Sequence, residues 1–376
     1  MQPISVNTVK IRNRATVFQE ILSAGSITRQ ELARRCGLSL GTVASIVDEL
    51  GRQRVVIETK DVRTSVGRKP NLVKIIGTVR RVLAIDLASR NFVYELLGID
   101  LTESVQGVHQ FNESLTFEQN IRVMLDEIKQ LMADSHIMAE ELIGVGLSVP
   151  GSYRYAADRV DNALFPELHS IRLNALIAES FSVPIMIEHD VFLAVRAEIG
   201  HLEEYRDKNV FFVFLGEGIG GALAIRGEVY RGSREDAGDI GRLLVNETDT
   251  LEELVSWRRT RAILSIDSAG RDSPLADWAY ELDKDSTQRA HLKSIAGHVA
   301  RALYNVFWTV DPDTFIIGGE YQALGVRFLQ SVQSHLRDLL GAAQMTNLDM
   351  TLSRHGIRAG RIGAGEMVRE YWLDNL

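Results

Sequence analysis

Gly216-Glu217-Gly218-Ile219-Gly220-Gly221 has the spacing G-x-G-x-x-G, which lets a backbone approach a pyrophosphate closely. That chemistry needs a helix directly after the glycines, so that the helix N-terminus meets the anion. Instead the chain continues with Ala222-Leu223-Ala224-Ile225-Arg226-Gly227-Glu228-Val229-Tyr230, a run that predicts a hairpin about Arg226-Gly227. A dinucleotide site is therefore not expected. A second set of residues suits DNA. Val43, Ile46, Val47 and Leu50 recur at i, i+3, i+4, i+7 and make one apolar helical stripe. The other face presents Gly41, Thr42, Ser45 and Glu49, small or polar as a helix lying in a major groove requires. No Arg or Lys occurs between Ser39 and Leu50, so the bidentate contact to guanine is unavailable. Base reading falls to Thr42 and Ser45, and phosphate anchoring to Arg29, Arg34, Arg35, Arg52 and Arg54 nearby.

These side chains need a frame. Residues 10–24 place Val17, Phe18, Ile21 and Leu22 on one face of a first helix. Thr28-Arg29-Gln30-Glu31 has the form of a capping box and opens a second helix. Cys36-Gly37-Leu38 forms a tight turn in which Gly37 supplies the positive φ. Ser39 caps the third helix. Residues 55–58 and 72–76 read as two strands, and the loop between them carries Gly67-Arg68-Lys69-Pro70. This slim basic segment suits a narrow A·T-rich minor groove, with Arg68 and Lys69 as its cations. The whole predicts a winged helix-turn-helix.

Charge agrees with that reading. Residues 1–76 hold 13 basic and 6 acidic side chains, a formal +7, while the other 300 hold 29 basic and 44 acidic, a formal −15. A basic end on an acidic body points to a polyanionic partner. The single cysteine, Cys36, excludes a disulfide within the chain and fits a reducing compartment, so a cytoplasmic location is expected. The N-terminus lacks the apolar core of a signal peptide, and no apolar run predicts a membrane span. Beyond residue 76, strands alternate with helices: 81–87, 92–99, 143–149 and 184–190 read as strands, 117–134 and 191–198 as helices. That pattern predicts an α/β domain.

In order and spacing, a series of segments resembles the ROK family (repressor, open reading frame, kinase), and within it the repressor branch of xylose and N-acetylglucosamine type. The carriers are the helix-turn-helix, Gly67-Arg68-Lys69-Pro70, Ile85-Asp86-Leu87, Ser148-Val149-Pro150-Gly151, Glu188-His189-Asp190, the glycine run 216–221, Tyr230-Arg231-Gly232, Ala237-Gly238-Asp239-Ile240-Gly241 and the segment 311–319. The resemblance implies a two-lobed actin-like, ribonuclease-H-like body with a sugar in its cleft. Residues 1–76 would be the DNA-binding domain and 77–376 the ligand-sensing and oligomerising domain. Its first lobe would span about 77–192 plus the C-terminal helix, its second about 193–356. The resemblance places Asn162, Asp190, Asp239, Arg242 and Glu252 at the sugar, with Asp190 as the relic of a kinase base.

Departures from the family matter as much. Family kinases carry Gly-Gly-Thr where this chain has Ala88-Ser89-Arg90, and threonine where it has Glu217. A phosphate loop needs glycine for close backbone approach, and a carboxylate repels phosphate. Kinase activity is not expected, nor any cofactor. The family's zinc ligands are absent too: Arg242 stands at the histidine position and residues 245–254 hold no Cys, so no metal is expected. Arg242 has two readings, a counter-charge for Asp239, Asp190 and Glu252, or a fork that recognises an anionic ligand group. The function expected is a sugar-controlled transcriptional regulator, a repressor by resemblance. It would bind a palindromic operator as a homodimer or homotetramer. The alternatives are a working sugar kinase fused to a DNA-binding module, and a DNA-binding dimer without a ligand.

Overall fold

The structure is a computed structural model that describes residues 6–60, 71–89, 91–161, 165–200, 202–264 and 286–376. Helix α1 (Val6–Ala24) buries Val17, Phe18 and Ile21 on one face. Helix α2 (Arg29–Cys36) starts at Thr28, whose side chain accepts from the Glu31 N–H at 3.2 Å. The reciprocal half of the expected capping box is missing. Glu31 instead takes Arg34 and Arg35, because a charge-assisted bond is stronger than one to a neutral amide. Gly37 closes the helix at φ 65°, a conformation that glycine adopts without steric cost. Helix α3 (Leu40–Arg52) is capped by Ser39 and buries Val43, Ile46, Val47 and Leu50, as its periodicity predicts. Strands β1 (Val56–Lys60) and β2 (Asn71–Ile75) pair antiparallel, Val56 facing Ile75. Ile27 bridges Val73 on the outer edge of β2. This is a winged helix-turn-helix.

The body contains two five-stranded mixed sheets of the same topology. The first comprises β3 (Arg81–Asp86), β4 (Phe92–Gly98), β5 (Ser104–His109), β6 (Leu142–Val149) and, after a small hairpin, β9 (Ile185–His189), in the order β5-β4-β3-β6-β9. That hairpin is β7 (Ser152–Arg154) with β8 (Arg159–Asp161). The second sheet comprises β10 (Asn209–Leu215), β11 (Ile219–Ile225), β12 (Glu228–Tyr230), β13 (Thr314–Gly318) and β14 (Asp349–Leu352), in the order β12-β11-β10-β13-β14. In each sheet an antiparallel meander is followed by parallel strands. This repetition is the actin-like, ribonuclease-H-like arrangement. Helix α4 (Phe117–Asp134) covers the first sheet through Ile121, Met124 and Ile128, and the short α5 (Leu173–Ala178) adds Leu176.

Helix α6 (Asp190–Ile199) follows β9 and packs on β10 and β11 of the second sheet. The second lobe continues with α7 (Leu251–Val255), α8 (Trp257–Leu264), α9 (Ser286–Val310), α10 (Gly325–Leu340) and the short α11 (Ala342–Met345). Its core joins Val299 and Leu303 of α9 and Leu336 of α10 to Phe211, Val213 and Phe315 of the sheet. The last helix, α12 (Ala359–Asp374), lies against α6, β3, β6 and α1. A Cβ at Gly363 would collide with the carbonyl of Leu193, so glycine there lets the two helices touch backbone to backbone. Val368 and Leu373 of α12 share one apolar cluster with Val17, Phe18, Leu50 and Val73. The core of the winged module is thus continuous with that of the body. Among the described residues, no helix is long and apolar enough to cross a membrane.

Candidate nucleic-acid interface and ligand cleft

On α3, Gly41 and Ser45 are exposed and Thr42 is half-buried. The Ser39 and Thr42 hydroxyls bond each other at 2.8 Å, while Ser39 also accepts from the Thr42 N–H at 3.1 Å. Ser39 therefore serves the helix start first. Glu49 does not share the outward face as expected. It turns to α1, 3.1 Å from Lys10 and 3.5 Å from Arg14, because the positive side of α1 stabilises it better than solvent does. Leu40 is not singled out in the sequence: it lies in register with the buried stripe, yet it is 49% exposed. An apolar side chain there can meet a thymine methyl.

The arginines nearby divide into two groups. Arg29 is held by Asp48 at 2.6 Å and by Glu58. Arg34 and Arg35 share Glu31, whose carboxyl falls to about 2 under their hydrogen bonds, Arg34's first. Arg52 and Arg54 instead stand at the end of α3 beside Arg80 and Arg81 of the body. Arg68 and Lys69 lie outside the described residues.

In the cleft, β9 delivers Asp190 to the first position of α6, where its Oδ1 accepts from the Val191 N–H at 2.8 Å. Burial, then the charges of Asp86 and Asp239, push its carboxyl up to about 8. His189, 3.3 Å away, is driven down to about 4 by burial, so at neutral pH an uncharged ring stands beside an acid holding its proton. Asp239 is also raised, by burial first, against the pull of Arg242 at 3.4 Å and with the push of Glu252. Arg242 is 67% exposed, so that pair is screened by solvent. Glu252 accepts from the Ile219 N–H at 3.0 Å and ties α7 to the glycine run. Four of the five expected cleft residues thus meet in one region; Asn162 lies outside the described residues.

Sequence reasoning missed the counter-charge and the clasp. Arg361, buried on α12, lies 3.6 Å from Asp86 and 3.0 Å from Glu95. Between the lobes, Arg231 pairs with Glu188, Ser152 bonds Asp236, and Arg154 donates to the Arg234 carbonyl at 2.8 Å. These residues stand far apart in sequence, and no local spacing marks them.

Each phosphate-loop segment has its own internal partners. The Ala88 N–H donates to Asp86 at 2.9 Å, and Ser89 donates to the Asn91 carbonyl at 2.8 Å. Arg90 lies outside the described residues. Glu217 is paired with Arg261 and lies 3.8 Å from Arg258. Simple repulsion of phosphate by Glu217 therefore overstates its effect, because two cations offset it. The glycine run enters β11, and Arg226 (φ 50°) and Gly227 (φ 76°) make the turn to β12. No helix comes after it, so the motif has no dinucleotide geometry.

Comparison with known proteins gives the same two parts. The sequence model of the ROK family matches residues 84–371, and that of a winged helix-turn-helix DNA-binding domain matches residues 17–57. A xylose repressor of Caldicellulosiruptor bescii is 22% identical, with 95% of each chain covered. The crystal structure of a ROK family transcriptional regulator, a homolog of the E. coli MLC protein, superposes with a TM-score of 0.76 at 17% identity, covering 98% of this chain and 97% of that one. A ROK family glucokinase from Streptomyces griseus, in complex with glucose and AMPPNP, superposes with a TM-score of 0.60 at 17% identity, over 76% of this chain and 98% of that one.

Proposed function

The chain belongs to the ROK family and carries a winged helix-turn-helix ahead of it, and we propose that it is a DNA-binding transcriptional repressor controlled by a sugar. Residues 1–76 would bind the operator and 77–376 would sense the ligand and build a homodimer or homotetramer. Two copies on a palindrome combine readouts that a short helix without arginine cannot supply alone. Thr42 and Ser45, helped by Leu40, would read bases. Arg29, Arg34 and Arg35 would exchange intramolecular carboxylates for phosphates, and Arg68 and Lys69 would enter the minor groove.

One observation carries this reading: α12 begins beside the cleft and ends against the DNA-binding module. Gly360 lies beside Ser148 and the Asp190 carbonyl, Arg361 reaches Asp86, and the carbonyl of Leu373 accepts from the buried Arg14. A sugar that moves the lobes would move this helix, and with it α1 and α3. The protonated Asp190 and the carboxylates of Asp239 and Glu252 can donate to and accept from a hydroxyl-rich ligand. The Ala88 N–H is occupied by Asp86, which supports a first loop that does not grip a phosphate. Asn246 binds Thr248 and Asp249, which supports a segment that closes without a metal.

The test is a thermal-shift screen with xylose, other neutral sugars and acidic sugars, and then DNA retention with and without the stabilising ligand. A bound sugar raises Tm by mass action and should change DNA affinity. Turnover of ATP with any of these sugars would restore the kinase reading. Arg242→Ala should leave the Tm of the ligand-free protein within the effect of an exposed ion pair, at most about 1 kcal/mol. It should weaken only acidic ligands. A large loss of stability would make Arg242 a strut instead.

A further inference from the structure

A cavity of about 560 Å³ lies between the winged module and the first lobe, within the size range of small-molecule sites. Its walls come from three segments that are distant in sequence. Arg52 and Arg54 stand at the end of α3, Arg80 and Arg81 open β3, and His136, Glu140 and Glu141 lie in the link from α4 to β6. Four guanidiniums thus face two carboxylates. Neither Arg52 nor Arg54 has a carboxylate partner among the described residues. Arg80 donates to the Glu140 carbonyl at 2.8 Å, yet its Nε is buried without an acceptor, as is that of Arg81. Arg81 is 3.8 Å from Glu141, beyond hydrogen-bond reach. The positive charge is therefore incompletely answered from within the chain.

Two helix ends meet at this place, α3 and α4, each closed by a left-handed residue. Arg54 (φ 61°) and His136 (φ 54°) adopt the left-handed conformation that terminates a helix, so both side chains are set by fixed helix ends. Both line one cavity. We propose that this cavity is a second ligand site, separate from the sugar cleft, which takes a phosphate group. Planar guanidinium forks match phosphate oxygens in pairs, and the Glu140 and Glu141 rim suits the hydroxyls of a small phosphorylated polyol. Because the cations come from both units, an occupant fastens the end of α3 to the lobe and biases the DNA-binding module toward this orientation. That consequence rests on the DNA-binding reading; the phosphate site does not.

The same phosphate chemistry has two sources, a free metabolite or the DNA backbone, and the experiment has an arm for each. Full-length protein is titrated calorimetrically at constant ionic strength with inorganic phosphate, a pentose phosphate and the free pentose. A short duplex DNA is titrated in parallel. The pentose phosphate should bind once per chain, and the exposed-site variant Arg54→Gln should weaken it at least about tenfold. Arg80→Gln should do the same and Arg80→Lys should recover part of the loss, which separates charge from folding. If only duplex affinity falls in Arg54→Gln, with a salt slope smaller by about one, Arg54 is a DNA-backbone anchor and the second ligand site is overturned. If pentose phosphate binding is lost in Asp190→Asn but not in Arg54→Gln, the ligand sits in the cleft and the second site is overturned. Unchanged affinities in both arms overturn it as well.

Discussion

Asp190 holds its proton because it is largely desolvated, with its side chain 17% exposed, and two further carboxyl groups, Asp86 and Asp239, lie near. A carboxyl raised from about 4 in the unfolded chain to about 8 in the native one binds its proton more tightly when folded. Stability must then fall as pH rises through that interval, because ionisation is easier in the unfolded state. Asp190→Asn cannot titrate. Its stability relative to the parent should rise between pH 5 and pH 9 by on the order of 1–3 kcal/mol, read as the difference between two urea-denaturation series. Parallel pH profiles would mean that Asp190 is ionised throughout. The same group gives sugar binding a sign: above pH 8 the donor is lost, and affinity for a hydroxyl ligand should drop.

At the scale of elements, α2 sets a carboxylate in competition with any phosphate its arginines would meet. Glu31 sits one turn from both Arg34 and Arg35 and remains ionised above about pH 2. Phosphates must compete with it. Glu31→Gln should raise affinity for duplex DNA at low salt and steepen the log–log salt slope by about one to two, since each released cation contributes about 0.9. A slope equal to the parent's would show that neither arginine touches the backbone. This pairing is half legible in the sequence, where Glu31 reads as the partner of Thr28. The helices and strands themselves are legible because one face of each is buried: α3 from its 3.6-residue stripe, the Arg226-Gly227 hairpin from its turn residues. Glu49 and Leu40 escape such a reading because a stripe gives angle about the axis but not which neighbour lies there. The clasp of Arg231 on Glu188, the Arg361 counter-charge and the cavity of Arg54 and Arg80 join segments distant in sequence that meet only in the folded chain.

For the molecule as a whole, the question is whether cleft and operator communicate, and Arg14 is the place to ask it. Only 2% exposed, its guanidinium bonds the Leu373 carbonyl at the end of α12 and lies 3.5 Å from Glu49 on α3. It therefore answers the unsatisfied carbonyls and negative dipole of one helix end while holding the recognition helix. A sugar that changes operator affinity by some factor must have its own affinity changed by that same factor when DNA is bound. Sugar titrations with and without operator, and operator titrations with and without sugar, should yield one coupling value, in the range of about 1–3 kcal/mol typical of such pairs. Arg14→Ala leaves the cleft residues and the outer face of α3 in place. It strands the Leu373 carbonyl and leaves Glu49 to Lys10, at a cost of about 1–3 kcal/mol of stability. Both ligands should still bind it separately, with the coupling reduced toward zero. If the variant folds and keeps the full coupling, the signal does not pass through the end of α12, and the lobes must reach the DNA-binding module through the β3 side instead.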